Sequence, residues 1–275
     1  MLKDRVKSIL SFGVMTNILG ILQSILLARL LGPELRGELA VPLTFVLLVL
    51  PLSSMGFKQN LSFLIRRRGI YVSNRSLAFL SLICMMSSAA FTSVYIYFYP
   101  DSIDFVLIQV FALILIRTLA DLFSYKLLVL QQAHKITQLS FIRASIEVLL
   151  IVFLFMSQVK SLDLVLNVFI VSYSCYCLLI LYKTIYSNQV DNLSDKKTLL
   201  FDGAFFKRGL AYGAPLFLIN INISFDILML GKLSTSKSVG LYQVAVSIAN
   251  ILWVIPTLLG AFIFSESLHK ELPEL

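Results

Sequence analysis

The residues of this chain that could do chemistry are a few charges embedded in apolar runs. Lys58 follows Gly56-Phe57. Arg117 and Asp121 stand one helical turn apart, and Arg143 and Glu147 repeat that spacing. Asp226 lies in a later apolar run that ends at Gly231-Lys232. A Lys, Arg or Asp at mid-bilayer costs about 2.5–3.5 kcal/mol on insertion scales, so each must face protein or water. Buried cations are strong donors to an anionic group. Buried carboxylates pair with them, or couple to a proton or another cation. A plainer alternative accompanies each site. Arg117–Asp121 and Arg143–Glu147 neutralise themselves and merely permit insertion. Lys58, which has no carboxylate at helical spacing in its own run, snorkels to the nearby membrane surface. Asp226 pairs with Lys232.

Other chemistry finds little support. No HExxH, P-loop, GxGxxG, CxxC or nucleophile elbow occurs, so no catalytic residue, metal site or cofactor is expected. His134 and His269 have no partners at metal-ligand spacing, and Cys84, Cys175 and Cys177 read as small residues of apolar spans. The tyrosines from Tyr95 to Tyr99 and from Tyr173 to Tyr186 read mostly as interfacial belts, although Tyr173 and Tyr176 could face a cavity instead.

The elements that must position these charges are membrane helices. The chain is 58% hydrophobic and 14% charged, with mean hydropathy +0.88, far outside the soluble range. About 20 mainly apolar residues cross a bilayer as a helix, and lipid leaves the backbone no alternative. The expected fold is all-α, a polytopic membrane helix bundle of about eight spans: Ser8–Leu31, Leu39–Leu64, Leu77–Tyr99, Phe105–Leu130, Ile136–Met156, Leu162–Ile185, Gly209–Leu230 and Val239–Phe264. Gly32-Pro33 and Pro100-Asp101 supply joints, and Pro42, Pro51, Pro215 and Pro256 mark kinks. The longest polar joint, near residues 187–207, separates an N-terminal unit, 1–186, from a second, 208–275. The first span is too long for a signal-peptide core and is read as retained.

Orientation follows from Lys and Arg in the joints. With the N-terminus in the cytoplasm, sixteen basic residues fall on that side, among them Arg66-Arg67-Arg68, Lys196-Lys197 and Lys207-Arg208. Five fall outside: Arg29, Arg36, Lys160, Lys232 and Lys237. Both termini are therefore expected in the cytoplasm. The same distribution accounts for the net charge of +8 without any nucleic-acid face. Arg66–Arg68 reads as a topology anchor on anionic lipid, and Arg29 and Arg36 as a solvated outer joint.

Sliding the chain by 203 positions lays the first two spans over the last two without a gap. Asn17 meets Asn220, Arg29 meets Lys232, Gly37 meets Gly240 and Val41 meets Val244. Six spans separate the copies, so both have one orientation, as in a parallel repeat of six-helix units. The expected architecture is one six-helix lobe plus the first two helices of a second. On that basis Asn220, Asn222 and Ser224 are expected to present small and polar faces that lack helices to pack on.

At the repeat starts the chain resembles a known family. Leu27-Ala-Arg-Leu-Leu-Gly-Pro-Glu-Leu-Arg-Gly37 is similar to the first-helix signature of the polysaccharide (O-antigen type) flippases. Asp226-Ile-Leu-Met-Leu-Gly231 with Val239-Gly-Leu-Tyr242 resembles their seventh-helix signature and the start of the eighth. These flippases belong to the multidrug/oligosaccharidyl-lipid/polysaccharide exporter superfamily. The resemblance implies two six-helix lobes that rock about a central cavity in the bacterial cytoplasmic (inner) membrane. It implies a polyprenyl-diphosphate-linked sugar repeat unit as substrate, moved from the cytoplasmic to the outer leaflet for surface polysaccharide such as O-antigen. Polymerase or export machinery would be further partners, and proton or sodium coupling is open. The family's members have more spans than the eight read here, so the chain is expected to be C-terminally truncated, a fragment or half of a split transporter. Under this implication Lys58, Arg117 and Arg29 are the candidate diphosphate or sugar ligands. Asp121, Asp226, Arg143 and Glu147 are the candidate coupling or ion-pair residues. A multidrug or cation antiporter of the same superfamily and a non-transporting membrane scaffold are the alternatives. A membrane enzyme of the pathway would need a large outer loop, which no joint supplies.

Overall fold

The computed structural model describes residues 2–100, 104–130, 132–185, 195–198, 201 and 203–249, with isolated positions beyond. Nine helices appear among the described residues: α1 Leu2–Ser53, α2 Phe57–Arg68, α3 Asn74–Phe98, α4 Asp104–Phe123, α5 Tyr125–Val129, α6 Ala133–Met156, α7 Leu162–Ile185, α8 Gly203–Leu233 and α9 Ser236–Ala249. Two short strands, β1 Ile70–Tyr71 and β2 Asp195–Thr198, pair in parallel and bring two joints to one end of the bundle. The protein is an all-α polytopic bundle, as expected.

Among the described residues, six helices are long and apolar enough to cross a membrane. The difference from eight has two sources. The first two expected spans are merged into one stretch, Ser11–Arg68. The expected eighth span runs past Ala249, beyond the continuously described residues. The bundle's outer faces carry Leu149, Phe153, Leu178 and Leu218, each more than 60% exposed, a surface that suits lipid rather than water.

Two interruptions shape α1 and α2. Gly32 takes φ 72 and ψ 176, a conformation open in practice only to glycine, and Pro33 follows it. Helix α1 therefore kinks at the joint expected between the first two spans. The second expected span is itself broken at Ser54–Gly56. Met55 (φ 44) and Gly56 (φ 58) are left-handed there. The freed backbone groups are satisfied by turn bonds, including Met55 N to Leu52 O at 3.0 Å and Phe57 N to Ser54 O at 2.9 Å. Pro51 lies one turn upstream.

Helix α8 packs antiparallel along this broken span. A Cβ on Gly56 would stand 2.5 Å from Gly209 O, and one on Gly213 would stand 2.9 Å from Pro51 O. Only small residues let the backbones approach so closely. Asn60 Nδ2 donates to Phe205 O at 2.9 Å, and Phe57 stacks on Phe205 at 5.7 Å between centroids. The faces expected to lack partners do not all lack them. Asn220 Nδ2 donates to Leu47 O at 2.7 Å and Ser224 is buried, while Asn222 is exposed.

The repeat has a direct structural counterpart. A Cβ on Gly37 would lie 1.8 Å from Ser236 O and 3.0 Å from Gly240 N. A Cβ on Gly240 would lie 2.0 Å from Pro33 O and 3.1 Å from Gly37 N. The 203-residue offset carries Gly37 to Gly240 and Pro33 to Ser236. The contact is thus reciprocal, the form made by segments related by a two-fold axis. Beside it, Arg36 is buried rather than solvated. Its Nη2 donates to Ser24 Oγ at 3.2 Å, and Ser24 Oγ donates to Ser247 Oγ at 3.1 Å.

Candidate functional site

The break in the second span sets Lys58 at the first turn of α2, facing α4. Its Nζ lies 2.5 Å from Asp121 Oδ1. Lys58 therefore finds on another helix the carboxylate that its own span lacks. This pairing takes Asp121 away from Arg117, so the helical-turn pair read from the sequence does not form. Four residues of spacing permit such a pair, but the closer cation wins. Arg117 instead lies over the ring of Tyr173, with Cζ 4.6 Å from the centroid. It has no carboxylate partner among the described residues.

The second helical-turn pair does form. Arg143 Nη1 donates to Glu147 Oε1 within α6. Glu147 is buried and also accepts from Ser172 Oγ of α7 at 2.7 Å. The next residue, Tyr173, carries Arg143 as well, with Cζ 4.5 Å from the same ring centroid. Two guanidinium groups from two helices thus converge on one tyrosine of a third. Tyr176, one turn on, accepts from Ser140 Oγ at 3.5 Å.

These groups line a cavity of about 250 Å³. Lys58, Arg117, Asp121, Ser140, Arg143, Tyr173 and Tyr176 are its polar wall, and Leu50, Ala120 and Ile136 are apolar parts of it. The lining carries three cations and one carboxylate, and remains net positive when Glu147 behind Arg143 is included. Its place is the half of the bundle toward Arg66–Arg68, since Ser124 at the α4–α5 joint and Ile136 in the first turn of α6 belong to it. A net-cationic cavity with aromatic walls can hold an anionic headgroup.

Two expected site residues lie elsewhere. Arg29 is exposed on α1 and is not part of the cavity wall. Asp226 accepts from Tyr242 Oη and from its neighbour's N–H at 2.8 Å, whereas Lys232 lies over the Phe98 ring at 5.3 Å. The Asp226–Lys232 pairing is replaced by one that ties α8 to α9. Sequence reasoning placed Tyr173 in an interfacial belt or against a sugar and missed it as a holder of cations. The available signal was the presence of Arg117, Arg143 and Tyr173 all deep within apolar spans, where each needs a polar neighbour. Among the described residues no His, Cys, Asp and Glu cluster could hold a metal.

Lipid-facing helices around a net-cationic cavity define a polytopic membrane protein. The sequence profile of the family described as polysaccharide biosynthesis protein matches residues 2–263, and the chain belongs to that family. It is a membrane protein of polysaccharide biosynthesis, in a family composed in general of transporters rather than enzymes. No curated protein and no solved structure matches the chain.

Proposed function

We propose that the protein is a flippase. It moves polyprenyl-diphosphate-linked oligosaccharide repeat units from the cytoplasmic to the outer leaflet of a bacterial cytoplasmic membrane, by alternating access of its six-helix lobe against a complete second lobe. The observation that carries this reading is the net-cationic cavity built from Lys58, Arg117 and Arg143. A diphosphate, like the glycan it carries, cannot cross lipid unaided, and its charge calls for cationic donors. At about 250 Å³ the cavity suits a headgroup; the glycan and the polyprenyl chain extend beyond it. Arg117 meets the headgroup first, because Lys58 and Arg143 are already paired. The diphosphate then draws Lys58 from Asp121, which leaves Asp121 free to take up a proton or sodium ion and so couple transport to an ion gradient. A cation antiporter of the same superfamily is disfavoured by a lining that sets three cations against one carboxylate.

The test is surface glycan in cells that depend on this protein, with membrane abundance measured alongside. Lys58→Ala and Arg117→Ala abolish display while the protein remains inserted. Lys58→Arg and Arg117→Lys retain part of it. Normal display by both Ala variants would return these residues to packing and topology.

A further inference from the structure

Tyr173 has a place in the cavity that neither an interfacial belt nor sugar stacking explains. Its ring lies 4.6 Å from Arg117 Cζ and 4.5 Å from Arg143 Cζ. Arg143 has a second anchor, Glu147, which Ser172 holds in turn. Arg117 has no such carboxylate among the described residues. The electron-rich ring face is therefore what fixes Arg117, and it does so at the cost of bringing two like charges to one ring.

We infer that Tyr173 is a positioning residue. Its ring gathers the guanidinium groups of Arg117 and Arg143 so that the two phosphoryl groups of one diphosphate engage both at once. This inference rests on the diphosphate reading of the cavity. A guanidinium presents a planar fork of N–H donors that matches phosphate oxygens. Two forks converging from α4 and α6 suit two linked phosphoryl groups, whereas a single phosphate satisfies one fork and leaves the other unneutralised. The bound dianion relieves the repulsion between the two cations, so discrimination favours diphosphate over monophosphate. The hydroxyl of Tyr173 has no part in this; the ring does.

Calorimetry on the purified full chain in detergent tests it, with inorganic pyrophosphate and orthophosphate as the probes. Tyr173→Phe keeps the wild-type preference for pyrophosphate. Tyr173→Leu reduces that preference about tenfold, the scale of one desolvated cation–π contact. Tyr173→Met gives the same reading if the Leu variant fails to fold. The double variant Arg117→Ala with Tyr173→Leu binds pyrophosphate no more weakly than Arg117→Ala alone, because Arg143 keeps its Glu147 anchor and Arg117 is the group that depends on the ring. Unchanged pyrophosphate binding by both Tyr173→Leu and Tyr173→Met would overturn the inference and leave the diphosphate site standing, as would additive losses in the double variant. Absence of pyrophosphate binding by the wild-type chain would overturn both readings together.

Discussion

Asp121 holds Lys58 at 2.5 Å, so an anion that engages Lys58 must displace it. The pair is 22% and 24% exposed, so it faces the cavity rather than the sealed interior. A contact of that kind is partly screened, and a multiply charged ligand displaces it more readily than it would a fully buried pair. Removing the carboxylate charge while keeping the shape should expose the difference. Asp121→Asn is expected to bind inorganic pyrophosphate several-fold more tightly than the wild type, by calorimetry, and to display less surface glycan because release is slowed. Weaker or unchanged affinity would mark Asp121 as a scaffold for Lys58 rather than its competitor.

Among the elements, the close helix crossings divide the glycines by what surrounds them. Gly240 is helical, yet a Cβ there would meet Pro33 O at 2.0 Å; Gly20 is helical with nothing within 4 Å. Gly240→Ala should therefore destabilise the protein by about 1–3 kcal/mol through overpacking. Gly20→Ala should be neutral or stabilising, by up to about 1 kcal/mol from helix propensity. Thermal unfolding in detergent distinguishes them, and equal shifts would mean that the α1–α9 crossing is loose. The sequence shows these elements unevenly. Long apolar runs announce the helices, and Gly32-Pro33 announces the first kink, because local chemistry alone decides both. The break at Ser54–Gly56 lies inside an apolar run, signalled only by Pro51 and Gly56. It is completed by the backbone of α8, some 150 residues away. The same limit applies at the site. Arg143–Glu147 is legible because it is local to one helix. Lys58–Asp121 and the clasp of Arg117 by Tyr173 depend on which helices adjoin, and one-helix spacing carries no such information.

For the whole molecule, the pairing of Ile70–Tyr71 with Asp195–Thr198 puts two distant joints at one end of the bundle. Both belong to the Lys- and Arg-rich set expected in the cytoplasm. Reporter fusions after Ser73 and Asp195 should agree with each other and report cytoplasm, and those after Pro33 and Lys160 should report the outside. Disagreement between Ser73 and Asp195 would be incompatible with the strand pairing itself. The reciprocal meeting of Gly37 and Gly240 has another consequence. A residue on a two-fold axis must be complementary to its own copy, and a bare backbone meets that demand most easily. Duplication of a self-associating six-helix unit, followed by divergence, would leave such a position as the slowest to change. A larger side chain introduced on one copy can be answered only by moving the other, so the two sites, 203 residues apart, constitute a single heritable character.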